Sequence, residues 1–522
     1  MNAPQWIWNE AQNRAILNAV TRKSFCLIGA AGTGKTTTLR GALKASLENH
    51  SIPMLRNSTK HLYEGSPGVV LVSYTRRAVR NIARQMPEQL RQHCITIHKL
   101  LEYEPVFYED YNAEGDMVKK MRFEPMRNRF NPLPRELTTI IIDESSMVST
   151  ELFDKVLDAL PDPSQVQLIF LGDLHQLPPV YGHPQLGYEL TRLPVVELTE
   201  VYRQALESPI IALALSIKNN SFAEFNKQAV TDFGAPRLFA AQEIKEITVL
   251  DRPGRGKVTL IPWKRKLDRD FALAAVKFKI PDWITSKFYE PEEDLILCPY
   301  NEWCDEINKA AAQKLGELRN ATVFEVIAGF QKYYFAVGDK LMVDKQDAII
   351  EDIYKNPKYM GARPQHPSKT LSRWGKESGK VDDFEDSGFD PEEELARLTA
   401  DDDEDRTHEA SHCIKVRFID TDEEYIISKA GELNKTIFGY AITVHKAQGS
   451  ECRRVFFITD FCHAHMLSRE LVYTAITRAS EELVILMPPK MLAQAAAKPR
   501  IKGDTLQEKI AFFTQRNSEK LS

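Results

Sequence analysis

No apolar run in this 522-residue sequence approaches the roughly 20 residues that span a bilayer, so no membrane-crossing helix is expected. The opening residues, Met1 to Glu10, hold no basic stretch followed by an apolar core, and no secretory leader is expected there. Cysteine is sparse and scattered. The seven, at positions 26, 94, 298, 304, 413, 452 and 462, are odd in number and nowhere form C-x-x-C. That pattern supports neither a disulfide framework nor a zinc ribbon, and a reducing, cytoplasmic interior is the expected setting. Cys462, His463 and His465 make one local group with no second half, too little to argue a metal centre. No nuclease constellation and no internal repeat stand out. What remains is an ordinary globular composition, 43% hydrophobic and 27% charged, long enough for about three or four domains.

The charge balance is uneven. A net charge of −5 seems to disfavour nucleic acid, yet Val381 to Ala410 carry fourteen acidic side chains against Arg397 and Arg406. That stretch holds −12 by itself and leaves +7 for the rest of the chain. It is poor in large apolar residues and reads as a solvated loop. Mimicry of a nucleic-acid strand, or recruitment of a basic partner, is the other reading of the same residues.

The most informative block is Gly29-Ala30-Ala31-Gly32-Thr33-Gly34-Lys35-Thr36, which fits G-x-x-x-x-G-K-[ST] in full. It follows a short apolar run, Phe25 to Ile28, and opens a helical pattern at Lys35. Glycines let the backbone wrap a phosphate while N–H groups at the helix start point at the anion. Lys35 then reaches the β- and γ-phosphates and the Thr36 hydroxyl is suited to Mg²⁺. ATP or a close relative is the expected ligand, with Gly29, Gly32, Thr33, Gly34 and Thr37 completing the phosphate-binding set.

Apolar runs alternate with helical patterns through the first 200 residues: Val69 to Val72 before Arg76 to Met86, Thr139 to Ile142 before Thr150 to Leu160, then Val166 to Leu171 and Val195 to Leu198. Continuous apolar strands separated by helices imply a parallel sheet covered on both faces. The alternation returns at Leu295 to Leu297, Val455 to Ile458 and Leu483 to Leu486, giving two α/β cores with the phosphate loop in the first. Two stretches break it. Tyr103 to Pro134 reads as a β-hairpin around Asn112 to Asp116, and Ala321 to Lys435 holds β-like pieces such as Phe335 to Val343 and Ile414 to Phe418, read as a small inserted barrel.

Ile141-Ile142-Asp143-Glu144 ends a buried strand with two carboxylates. Beside a phosphate loop, Asp143 is placed to hold Mg²⁺ and Glu144 to orient or deprotonate an attacking water. Gln176, in Leu171-Gly172-Asp173-Leu174-His175-Gln176-Leu177-Pro178-Pro179, is a neutral group suited to sensing the γ-phosphate. Tyr202 offers a stacking face and Arg203 a fixed positive charge, and Arg478 supplies a second arginine from Tyr473-Thr474-Ala475-Ile476-Thr477-Arg478. An arginine delivered to the γ-phosphate from another domain contributes ~10³–10⁵ in rate and makes hydrolysis depend on closure.

In order and completeness these blocks resemble the superfamily 1 helicases, in the branch of RecD-like and Dda-like enzymes, over roughly residues 5–205 and 290–490. The Gly-Asp-x-x-Gln-Leu-Pro-Pro form at 172–179 favours this branch over the UvrD-like one, and 441–450 and 472–479 look like its motifs V and VI. The resemblance implies two tandem RecA-like parallel-sheet domains, with an inserted pin hairpin and an inserted SH3-like β-barrel. Residues 1–205 form the first core, 104–134 the pin, 206–320 with 436–490 the second core, 321–435 the barrel with an acidic loop at 376–410, and 491–522 a C-terminal tail.

It further implies that Gln12 reads adenine, that Tyr202 stacks on the base, and that Gly449 belongs to the nucleotide site. Thr75 and Arg76 match motif Ia. Thr96, His98 and Pro178 are candidate single-strand contacts on the first core, with Thr443, His445 and Lys446 on the second. Phe107, Tyr108 and Phe123 are candidate pin aromatics, with packing of the hairpin the equal alternative. The expected activity is an ATP- and Mg²⁺-dependent 5′→3′ DNA helicase on single-stranded and forked DNA, working beside replication or recombination proteins. A monomer is the default, since one chain supplies both halves of the ATP site, and a phage origin within a bacterial host is one setting. An RNA-directed helicase of the same superfamily and an ATP-gated translocase or remodelling switch without unwinding are the alternatives.

Overall fold

The computed structural model describes residues 8–49, 51–111, 117–179, 183–200, 207–221, 225, 229, 231–233, 247–262, 289–329, 331–343, 346–359, 409–419, 422–488 and 490–521. Residues 105, 107–111, 117–122, 461 and 517–521 are described by backbone alone. Tyr202, Arg203, the turn at 112–116 and residues 376–408 of the acidic loop therefore lie outside the described residues, as do the side chains of Phe107 and Tyr108. The chain divides into two compact units: 1–105 with 123–314 and 440–522, and 106–122 with 315–439.

In chain order, strands β1 (Phe25–Gly29), β2 (Val69–Ser73) and β3 (Cys94–Thr96) of the first unit precede a hairpin of β4 (Tyr103–Tyr111) and β5 (Met117–Pro125), which pair as a two-stranded sheet and whose residues 106–122 belong to the second unit. Then come β6 (Thr139–Asp143), β7 (Gln167–Gly172) and β8 (Val195–Leu198). Six of these strands form a sheet in the order β3-β2-β6-β7-β1-β8, every pair parallel. The apolar runs explain the burial, because alternate side chains of a strand face opposite sides of a sheet. Cys26, Val70, Ile140 and Ile142 pack into a core on one side, and Leu27, Leu71 and Ile141 into a core on the other. Helices Lys35–Glu48, Arg76–Gln85 and Thr150–Asp158 make the crossovers. The Thr75 and Ser149 hydroxyls cap the latter two by accepting from Ala78 N–H and Leu152 N–H.

The second core begins with β9 (Thr248–Arg252), β10 (Gly256–Pro262) and β11 (Asp294–Cys298), followed by helix Asn301–Arg319. The inserted unit then supplies β12 (Val323–Ala328), β13 (Gln331–Ala336), β14 (Lys340–Val343), β15 (Gln346–Lys355), β16 (Glu409–Phe418), β17 (Glu424–Lys429) and β18 (Ile437–Phe438). Strands β19 (Ala441–Thr443), β20 (Cys452–Ile458) and β21 (Ala479–Met487) complete the second core in the order β19-β11-β20-β21-β10-β9, parallel except for the β9 edge. Both α/β cores expected from the alternation are present.

The insertion forms a five-stranded antiparallel sheet, β17-β16-β15-β14-β18, and a separate ribbon of β12 and β13. Residues Phe335 to Val343, read from sequence as one β-like piece, belong to two strands. The break is Gly338, whose φ of +86° only glycine adopts cheaply, beside Asp339, which accepts from Ala336 N–H at 2.8 Å and Arg319 Nη2 at 2.6 Å. The stretch expected as a C-terminal tail folds into helices Met491–Ala496 and Leu506–Leu521. Its Phe513 is buried against helix Gln185–Glu189, and Arg469 binds Asp504, so apolar burial and an ion pair hold it on the first unit.

Candidate active site and nucleic-acid interface

The carboxyl edge of the first sheet gathers the chemistry, since β6, β7, β1 and β8 are successive neighbours. In such sheets ligands bind beyond the carboxyl ends of the strands. After β1 the loop turns through Gly32 and Gly34 at φ +78° and +81°, and helix Lys35–Glu48 starts with no side-chain cap on its first N–H groups. Those open donors suit a phosphate. Thr33 is buried and its hydroxyl donates to Ala30 O at 2.8 Å, so it braces the loop from inside. A Cβ on Gly29 would lie 2.4 Å from Thr33 Oγ1, which explains glycine there. Lys35 Nζ donates to Gly29 O at 2.6 Å and Ala30 O at 3.2 Å, while Thr36 and Thr37 are half-buried in the first turn.

Asp143 ends β6 and Glu144 follows with φ +49°, a left-handed conformation that turns the chain sharply after the strand. Burial, then the Glu144 charge, pushes the Asp143 carboxyl up to about 7 against the pull of Lys35. Two adjacent half-buried carboxylates repel one another and suit a cation. Ser73 Oγ, whose residue pairs with Asp143 in the sheet, Ser146 Oγ, two residues past Glu144, and Gln176 Oε1, beyond the neighbouring β7, are buried without a hydrogen-bond partner. Oxygen donors of this kind, with the Thr36 hydroxyl nearby in the loop, fit a hard divalent cation such as Mg²⁺. Asp173 behaves differently. Burial pushes its carboxyl up, but Lys35, His175 and the His175 N–H outweigh burial and hold it below its usual range.

Two sequence-derived nucleotide residues take other partners. Gln12 is buried, and its Oε1 accepts Asn9 N–H at 3.1 Å in a capping box that starts helix Glu10–Val20. Gly449 sits where the two cores meet, at φ +75°, with its ideal Cβ 2.6 Å from Ala78 Cβ. Arg478 is buried and donates to Thr474 O, Ser450 O and Thr477 Oγ1 at 3.0, 3.0 and 3.2 Å, so a phosphate contact requires it to release its own core's oxygens.

The second core instead reaches this site through groups that sequence reasoning left without a role. Tyr473 Oη accepts Ala31 N–H at 3.1 Å and donates to Asp173 Oδ2 at 2.7 Å. Thr474 Oγ1 accepts Leu177 N–H at 3.1 Å, and Gln448 Nε2 donates to Leu177 O at 3.0 Å. Tyr473 and Thr474 stood inside the quoted Tyr-Thr-Ala-Ile-Thr-Arg block, but spacing alone does not reveal a partner 300 residues away. A cavity of about 250 Å³ adjoins the loop, lined by Gly29, Ala30 and Thr33 with Asp173, Lys218 and Lys509.

The expected single-strand contacts lie at strand-to-helix turns. Thr75, Thr96 and Thr443 each accept from a backbone N–H three residues on, at 3.2, 3.2 and 3.4 Å, so their hydroxyls already shape the turns. His98 lies between Tyr74 and Tyr103, its ring centroid 5.7 and 5.0 Å from theirs. Arg76 opens the helix that Thr75 caps, Pro178 and His445 and Lys446 are half-buried, and Phe123 is exposed at the hairpin base.

Family models match two parts of the chain: an AAA domain over residues 12–182 and a UvrD-like helicase C-terminal domain over residues 438–486. The chain is a relative of the RecD-like superfamily 1 helicases. The ATP-dependent RecD2 DNA helicase of Deinococcus radiodurans is 26% identical over 435 residues, 82% of this chain and 45% of that protein. The RecBCD enzyme subunit RecD of Buchnera aphidicola is 21% identical over 510 residues, 94% of this chain and 74% of that protein. A crystal structure of Pif1 helicase from Bacteroides with ADP-AlF3 and ssDNA aligns at 16% identity and a TM-score of 0.45, covering 99% and 98% of the two chains. The chain spans under half the length of RecD2, and 38% of the uncharacterized protein MJ1519 of Methanocaldococcus jannaschii. The matched segment 12–182 holds Lys35, Asp143 and Gln176, and 438–486 holds Gln448, Tyr473 and Arg478.

Proposed function

We propose that the chain is an ATP-driven DNA helicase that translocates 5′→3′ on a single strand and separates duplex. The observation that carries this reading is the grip of the second core on the phosphate site of the first, through Tyr473, Thr474 and Gln448. One chain furnishes both walls of the site, which suits a monomer whose cores close and reopen with each turnover. Bound ATP with Mg²⁺ supplies the phosphoanhydride bond whose hydrolysis drives the cycle.

The residues divide that work. The loop N–H groups and Lys35 bind phosphate, with Asp143 and Thr36 as the metal-holding oxygens. The Glu144 carboxylate orients the water and takes its proton, and Gln176 offers its uncommitted Oε1. Arg478, with Tyr202 and Arg203, belongs to the same reading through the family likeness. The hairpin of β4 and β5 serves as a strand-separating pin, and the β12–β18 unit as the SH3-like insertion. Stepping past a pin works against ~1.4 kcal/mol per base-pair step. The DNA contacts are mainly phosphate charge and base stacking, so affinity should fall with salt by a slope of roughly −0.7 per phosphate neutralised.

Matched duplexes with a 5′ or a 3′ single-stranded tail, incubated with ATP and Mg²⁺, test the proposal. Separation only with the 5′ tail, absent in Lys35→Ala, is the expected result. A 3′ preference overturns the polarity. DNA-stimulated ATPase without separation moves the reading to a translocase or remodelling switch, and equal use of RNA tails to an RNA-directed enzyme.

A further inference from the structure

Tyr473 lies on helix Arg469–Ile476 of the second core and is fully buried. Its hydroxyl uses both capacities across the junction, accepting from Ala31 in the phosphate loop and donating to Asp173 beyond β7. Asp173 in turn shapes the tight turn that carries Gln176. Its Oδ1 accepts His175 N–H at 2.9 Å and its backbone oxygen accepts Gln176 N–H at 3.1 Å. One residue later Leu177 is held on both backbone groups, by Thr474 Oγ1 and by Gln448 Nε2. Gln176 is thus suspended between two attachment points, both supplied by the second core. The third attachment, at Ala31, reaches the phosphate loop itself. Burial and the neighbouring Asp173 charge push the Tyr473 hydroxyl well above its ordinary range, so it keeps the proton it donates.

We propose that Tyr473 is a positioning residue that ties the phosphate loop to the Gln176 turn and lets the site assume its hydrolytic shape only when the cores are closed. The inference rests on the ATPase reading above and assigns to that site the link between closure and turnover. Opening the cores removes the hydroxyl from Ala31 and Asp173 together, leaving the loop able to bind nucleotide but the Gln176 turn unsupported. A phenylalanine ring would keep the packing and delete both hydrogen bonds.

The test is ATP turnover by the full chain with and without single-stranded DNA, comparing wild type, Tyr473→Phe, Asp173→Asn and the double variant. Wild type that lacks ATPase, with Lys35→Ala as background, sinks the helicase reading and this inference with it. Given an active wild type, Tyr473→Phe should lower DNA-stimulated kcat by roughly tenfold, while KM for ATP stays within about twofold. Asp173→Asn should lower kcat in the same way by weakening the acceptor, and the double variant should be no worse than the more severe single one, because both substitutions act on the shared Tyr473–Asp173 bond. Unchanged stimulation in Tyr473→Phe overturns the proposal. So does a rise in KM for ATP that matches or exceeds the fall in kcat, or additive losses in the double variant.

Discussion

Asn81, on helix Arg76–Gln85 of the first core, donates from Nδ2 to the carbonyl of Gly449 in the second core at 2.6 Å. Arg77, four residues earlier, donates to Lys446 O at 3.2 Å, so one helix face reads the backbone of the 445–450 turn. The close approach depends on Gly449 lacking a side chain. An added Cβ would meet Ala78 Cβ at 2.6 Å and Thr75 Oγ1 at 2.8 Å, at a φ of +75° that already disfavours L-residues.

Gly449→Ala should therefore weaken the closed junction by about 1–3 kcal/mol, through overpacking and backbone strain together. Each core keeps its own sheet, so the expected defect is loss of DNA-stimulated turnover with little change in far-ultraviolet circular dichroism. Wild-type stimulation in Gly449→Ala would mean that the junction at Ala78 opens freely during the cycle.

Lys35→Ala and Glu144→Gln probe the chemistry itself. Lys35 is the cation that pulls on both Asp143 and Asp173, and Glu144 raises Asp143 by its charge. Each substitution should lower kcat by ~10²–10³, the scale for removing one preorganised group at a reacting centre. Their melting temperatures should stay near wild type, because neither side chain is part of an apolar core. A variant with near-normal turnover would remove that residue from the assignment.

Much of this arrangement was legible before any coordinates. The apolar runs Phe25 to Ile28 and Thr139 to Ile142 announced strands buried on both faces, and they pair as parallel neighbours of β7. Lys35, Asp143 and Gln176 lie at or beyond the carboxyl ends of three adjacent strands, β1, β6 and β7. The Tyr473 bridge was not legible, because a hydroxyl inside a motif does not announce which of its neighbours across 300 residues it will meet. Gln12 and Arg478 illustrate the converse. Gln12 enters through the family likeness and Arg478 as a fixed charge in the 473–478 block, yet the Gln12 side chain accepts from Asn9 and Arg478 donates to Thr474, Ser450 and Thr477, partners that the motif pattern does not single out. The 491–522 stretch reads as a tail because it lies beyond the last motif, yet Met491, Leu492, Ile501 and Phe513 are buried.

His175 should draw stability down as the medium turns acid, while the raised Asp143 carboxyl acts in the opposite sense. Burial lowers its pKa to about 3, with Lys218, Lys509 and Arg469 adding to the effect and the Asp173 charge opposing it. The folded-state pKa thus lies below the ordinary histidine value, and the unfolded chain takes up the proton first. This contribution is complete above about pH 6.5 and is lost as pH falls toward 3, by up to about 1.4 kcal/mol per pH unit. Buried His93 is lowered for the same reason and adds in the same direction. Between pH 7.5 and 5 the change in melting temperature on acidification should be more negative in wild type than in His175→Gln, a difference in which the Asp143 contribution cancels. Equal slopes in the two proteins would mean that His175 does not stay neutral in the fold.

The C-terminal helix should prove to be part of the first unit's structure and to bear on nucleotide handling. A Cβ on Gly187 would lie 2.3 Å from Phe513 Cε1, so the two helices touch through a position that tolerates only glycine. On the same helix Leu506 and Lys509 line the cavity beside Gly29, Ala30 and Thr33, and Lys509 is buried with its pKa lowered chiefly by that burial. Phe513→Ala should cost about 3–5 kcal/mol of docking energy, and Gly187→Val should displace the same helix from the other side. Hydrogen exchange should then rise across 506–516 in both variants while β1, β6 and β7 stay protected. Because Lys509 leaves with the helix, KM for ATP should shift in both variants by the same factor. Unaltered protection in 506–516 would show that Phe513 is not the anchor, and a shift in only one variant would assign the effect to its own side chain instead of to the helix.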